Sequence, residues 1–159
     1  MNEPITVGRR PLNAALGLTF AMSRAPRPSS SRSEADRMGR TKLHYAAQAG
    51  DRVAIESLLA AGAEIDATDN SGWTALHFAA QSNGAPAVLA LLERGASIDR
   101  QDEHGNTPLF RAVFAYAGSG EVIRALLAVG SDPNLANAHG VSPASLARTI
   151  ANTDVSKYF

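Results

Sequence analysis

The sequence predicts an all-α solenoid, a right-handed stack of turn–helix–helix units, and three observations lead there. Gly39, Gly72 and Gly105 recur at intervals of 33 residues, and Gly140 follows after 35. Each has Asp or Asn three positions earlier (Asp36, Asp69, Asp102, Asn137) and Thr or Ser two positions later (Thr41, Thr74, Thr107, Ser142). A second series, Gly62, Gly95 and Gly130, runs in step, each shortly after a Leu-Leu pair. Self-similarity at such a period marks units that cannot bury an apolar face alone and must stack to do so.

Each position has a local cause. Asp or Asn followed three residues later by Gly suits a turn, because the side-chain oxygen accepts nearby N–H groups and glycine tolerates positive φ. The next Thr or Ser is the expected N-cap of a first helix. Pro108 and Pro143 come immediately after two of these caps, where a missing N–H costs nothing. The first helices continue with small residues (Ala46-Ala47, Ala79-Ala80, Ala112), which allow close approach. The second helices carry apolar residues at i, i+3 and i+4: Ile55/Leu58/Leu59, Val88/Leu91/Leu92 and Ile123/Leu126/Leu127. Val155/Tyr158/Phe159 repeat that spacing, so a second helix is expected in the last unit too. Gly62, Gly95 and Gly130 are the expected left-handed stops, and Pro86 falls in the first turn of its helix, where it is tolerated.

These features resemble the ankyrin repeat family. Its T-P-L-H-x-A signature matches Thr41-Lys42-Leu43-His44-Tyr45-Ala46 and Thr74-Ala75-Leu76-His77-Phe78-Ala79. Thr107-Pro108-Leu109-Phe110-Arg111-Ala112 and Ser142-Pro143-Ala144-Ser145-Leu146-Ala147 match more loosely. The resemblance covers 36–159 as four repeats: 36–68, 69–101, 102–136 and 137–159. Phe110 and Ser145 replace the signature histidine, so a Thr–His bond at the helix start is expected only in the first two repeats. The third repeat carries two extra residues, placed within Ala115–Gly120, which lengthen the connection between its helices.

Composition removes several functional classes. The chain has 159 residues, 45% hydrophobic and 19% charged, a globular balance. Fifteen basic and fifteen acidic residues cancel, so no net field draws it to nucleic acid or to an anionic membrane. The charges are unevenly spread: residues 1–38 hold six arginines against Glu3, Glu34 and Asp36, whereas 39–159 hold nine basic and twelve acidic side chains. There is no cysteine, hence no disulfide, thiolate nucleophile or sulfur-bound zinc. No apolar run reaches the ~18 residues of a membrane span.

The four histidines invite a metal reading, yet repeat position explains all of them. Equivalent residues in adjacent units lie about 10 Å apart, too far to share an ion. Asp66, Asp69, Asp99 and Asp102 read as turn formers, and no acid–base pair, Ser-His-Asp grouping or phosphate-cradling loop stands out. No enzyme activity, cofactor or metal is expected. The resemblance implies instead a protein partner, bound on a concave surface of hairpin tips and first helices. On that surface fall Met38, Arg40, Gln48, Trp73, Gln81, His104, Asn106, Arg111, Phe114, Tyr116 and His139. Trp73 is the single tryptophan, without an obvious core duty, and is the first candidate for a binding anchor. Arg111 is a candidate charged anchor or a solvated side chain, while Tyr45 and Phe78, at one repeat position, are expected to pack between repeats.

Residues 1–35, with the linker-like Ala25-Pro26-Arg27-Pro28-Ser29-Ser30-Ser31-Arg32-Ser33, admit three readings. They are a basic, disordered extension (or an upstream start, with Met22 as the alternative), a helix over Leu12–Met22 capping the first repeat, or an export signal behind Arg9-Arg10. A cytoplasmic monomer is the expected state. An inhibitor of immunity type, its net acidic repeats occluding a basic enzyme, is the alternative function.

Overall fold

Every Thr or Ser expected as a cap starts a helix. The computed structural model describes residues 35–150 and 154–159, all within the unit Ser31–Phe159. The readings of residues 1–34 as extension, capping helix or signal therefore lie outside the described residues. Among the described residues seven helices follow in order: α1 Lys42–Gln48, α2 Arg52–Ala60, α3 Ala75–Gln81, α4 Ala85–Glu93, α5 Pro108–Phe114, α6 Glu121–Ala128 and α7 Pro143–Thr149. A 3₁₀ segment, Asp154–Tyr158, comes after them. The described residues contain no strand.

The helices form two layers. First helices α1, α3, α5 and α7 pack in sequence, second helices α2, α4 and α6 do likewise, and each pair packs within its unit. Leu43, Leu76 and Leu109, the small Ala47 and Ala80, and Ile55, Val88 and Ile123 are all essentially inaccessible. Those apolar positions are the periodic ones, so the core lies between the layers. Leu91 and Leu126 are fully buried, and the equivalent Leu58 of the first repeat only partly.

The hairpins are tied by a regular ladder. Oδ1 of Asp36, Asp69, Asp102 and Asn137 each accepts the amides two and four residues on, at 2.8–3.0 Å. Successive hairpins then join by backbone: the amides of Asn70, Glu103 and Ala138 donate to the carbonyls of Met38, Ser71 and His104. Gly105 shows why the turn needs glycine: its φ is +77°, and a Cβ there would lie 2.8 Å from the Ala138 nitrogen.

Two expectations need correction. Val155, Tyr158 and Phe159 lie in or beside a 3₁₀ segment and not an α-helix; a three-residue spacing also suits that tighter helix. Tyr45 does not pack between repeats. It is 46% exposed and its hydroxyl donates to Asp36, whereas Phe78 is buried against His44 of the preceding unit. Asp66 and Asp99 stand in turns, as expected, and their carboxylates have a further use. They reach forward to Ser97 and Ser131, whose hydroxyls donate to them at 2.6 Å. As expected, neither the third nor the fourth repeat has a Thr–His bond, and in the fourth the Ser142 amide donates instead to Ser145 Oγ at 2.8 Å.

Candidate protein-binding surface

The first-helix starts are rigid because two buried histidines bridge units. The Thr41 and Thr74 amides donate to Nδ1 of His44 and His77, at 2.9 and 3.1 Å. Nδ1 is therefore the unprotonated nitrogen, and Nε2–H must donate. His44 gives it to the Ala67 carbonyl of its own repeat and, across the boundary, to the Trp73 carbonyl, and His77 gives it across the next boundary to the Asn106 carbonyl, each at 3.0 Å. Burial pushes both imidazoles down, His77 to about 4. A neutral ring with both nitrogens engaged is a structural member.

Upon this frame sits a row of side chains, two aromatic rings with a guanidinium at each end, that crosses three units. The Arg40 guanidinium lies 5.1 Å from the Phe78 ring centre, Phe78 lies 5.0 Å from Trp73, and the Arg111 guanidinium lies 4.1 Å from the Trp73 ring centre. Each arginine is held from beneath by the carboxylate of a turn. Arg40 Nε is 3.7 Å from Asp69, and Arg111 bonds directly to Asp102, whose side chain is fully buried. Burial pushes the Asp102 carboxyl up, but Arg111 and the amides of Asn106 and His104 outweigh it and hold it below the usual range.

The structure sorts the residues singled out in the sequence. Met38 (55% exposed) and Phe114 (62%) are bare apolar groups, and Gln48, His104 and His139 are exposed. Arg40, Trp73, Gln81, Arg111 and Tyr116 are half-buried. Asn106 is the exception. It is 6% exposed, its amide bonds to Asp102, and its oxygen accepts from Asn137 at 2.9 Å. Asn106 therefore joins the third and fourth hairpins instead of facing a ligand. Trp73 proves to have a packing duty after all, against Phe78 and His77. Arg111 is neither solvated nor free, being clamped between Trp73 and Asp102.

Sequence reasoning missed the partnership of Arg40 and Arg111 with the aromatic rings. A signal existed: both arginines occupy non-repeat positions, each one unit away from an aromatic side chain. Among the described residues, no group of His, Asp or Glu is disposed to hold a metal, and no helix is long and apolar enough to cross a membrane.

Stacked turn–helix–helix units with side chains displayed along one layer define a helical repeat protein. The sequence model of ankyrin repeats, in three copies, matches residues 43–137. The chain belongs to the ankyrin repeat family, which generally mediates protein–protein interaction and is typically non-catalytic. The fourth repeat, from residue 137, lies almost wholly beyond the matched span. No curated protein matches the chain.

Proposed function

We propose that this chain is a non-catalytic module that binds one partner protein through the face formed by the hairpins and first helices. The observation that carries the reading is the Arg40–Phe78–Trp73–Arg111 row. It crosses three repeats, is fixed from below by Asp69 and Asp102, and is neighboured in sequence by the exposed Met38, Tyr45 and Phe114. Large side chains held in one arrangement lose little entropy on binding, which favours them as anchors. The hairpin and first-helix stretches 39–50, 69–82, 102–115 and 137–149 carry Arg40, Lys42, Arg111 and Arg148 against Asp69, Asp102 and Glu103. The net acidity of the repeats therefore does not argue for a basic target on this face.

Affinity capture from the source organism's lysate tests the reading, with wild-type chain beside Trp73→Ala and Phe114→Arg. Circular dichroism must show equal helix content in all three. A stoichiometric partner lost in both variants supports this face as the site, Phe114 being 62% exposed. A partner retained equally by both variants rejects it.

A further inference from the structure

Gly120 is buried at the end of the lengthened connection between α5 and α6, and its backbone gives no reason for glycine. Its φ is −93°, a value open to any residue. The reason is Tyr158: a Cβ on Gly120 would overlap the hydroxyl end of its ring, at Cζ and Oη. The same ring meets Tyr116 edge-on at 6.1 Å. It also receives the Arg124 guanidinium at 5.6 Å and the Lys157 ammonium at 5.4 Å from its centre. Tyr116 and Gly120 both belong to the connection Ala115–Gly120, which contains the two residues that lengthen the third repeat.

The 3₁₀ segment is held differently from the rest of the stack. Val155 is completely buried and Tyr158 half-buried, while Asp154, Ser156 and Lys157 face solvent. Among the described residues, no backbone hydrogen bond ties 154–159 to another element, and the Phe159 amide bonds within the segment to Ser156. The hairpins, by contrast, are joined backbone to backbone at every step. Three side-chain anchors, Val155, Tyr158 and Phe159, without a ladder make a local, low-stability unit.

We propose that Asp154–Phe159 is a clasp that docks through Tyr158 into a receptor formed by the lengthened α5–α6 connection, and that it opens while the repeat stack stays folded. The extra residues of the third repeat exist to build that receptor, with Tyr116 as its wall and Gly120 as its floor. Closed, the clasp covers one side of Tyr116, so it is an autoinhibitory contact toward any partner that needs that ring. That consequence rests on the protein-binding reading above; the clasp itself does not.

Amide hydrogen exchange read by mass spectrometry on the full chain, with no partner present, tests the clasp on its own. The proteins compared are wild type, Gly120→Ala and Tyr158→Ala. Exchange in 154–159 and in 115–120 is expected to quicken at least about tenfold in both variants, with α1 to α4 within about twofold of wild type. Faster exchange spread equally through α1 to α5 would overturn the proposal by making the segment integral to the stack. Unchanged exchange in Tyr158→Ala would overturn it by removing the tyrosine as latch, whatever Gly120→Ala does to folding. Loss of partner capture by Trp73→Ala is a separate result and leaves either outcome standing.

Discussion

Replacing His77 by phenylalanine isolates the bridge between the second and third repeats. The helix tolerates the residue, since Phe110 holds the equivalent place in the third repeat. The substitution leaves the Thr74 amide and the Asn106 carbonyl without their imidazole partners. An unsatisfied buried polar group costs ~1–3 kcal/mol, so the pair is worth about 2–4 kcal/mol at neutral pH. The pH dependence is a sharper test. His77 titrates near 4 in the folded chain against 6.5 for a free imidazole. The unfolded state therefore takes up the proton first. The histidine's stabilisation is complete above 6.5 and is lost as pH falls toward 4, by roughly 3 kcal/mol in all. Urea denaturation followed by circular dichroism at pH 7 and pH 4.5 reads the difference. The gap between wild type and His77→Phe should narrow by roughly 2–3 kcal/mol at the lower pH. His44 is present in both proteins and so cancels. An identical gap at the two pH values would refute the buried neutral bridge.

Other consequences follow from the same contacts. Gly105→Ala should destabilise by at least about 1 kcal/mol more than Gly140→Ala in urea melts. Both glycines have φ near +75°, at +77° and +75°, but only Gly105 is crowded by the next hairpin. Asp102→Asn should keep the turn, as Asn137 does in the fourth repeat, while leaving the Arg111 guanidinium without its counter-charge. A cost of about 2–4 kcal/mol is expected from the melt, together with greater acrylamide quenching of Trp73 as the clamp on its ring loosens. Ser97→Ala should cost only about 1 kcal/mol, since its bonds to Asp66 are exposed, and a larger loss would give that bridge a role not seen here.

Much of the fold is legible in the sequence because its signals are local. Asp36 with Gly39, Thr41 with His44, and Leu59 with Gly62 each specify a turn, a cap or a stop within a few residues, and repetition removes ambiguity. What escapes prediction depends on contacts between units. Asn106 resembles an exposed tip residue until Asn137, 31 residues on, takes its oxygen. Tyr45 and Phe78 share a repeat position, yet only Phe78 is buried, against His44 of the preceding unit. Arg111 meets Trp73 across 38 residues at positions the period does not constrain. The surface that matters for binding is built from such pairs, so the scaffold reads more clearly than the site.

The most direct test of partner recognition by the hairpin and first-helix face is amide exchange of the chain free and with its captured partner. Protection is expected at the tips around Arg40, Trp73 and His104 and along α1, α3 and α5, with α2 and α4 unchanged. Protection confined to α2, α4 and α6 would contradict the account and place recognition on the opposite layer.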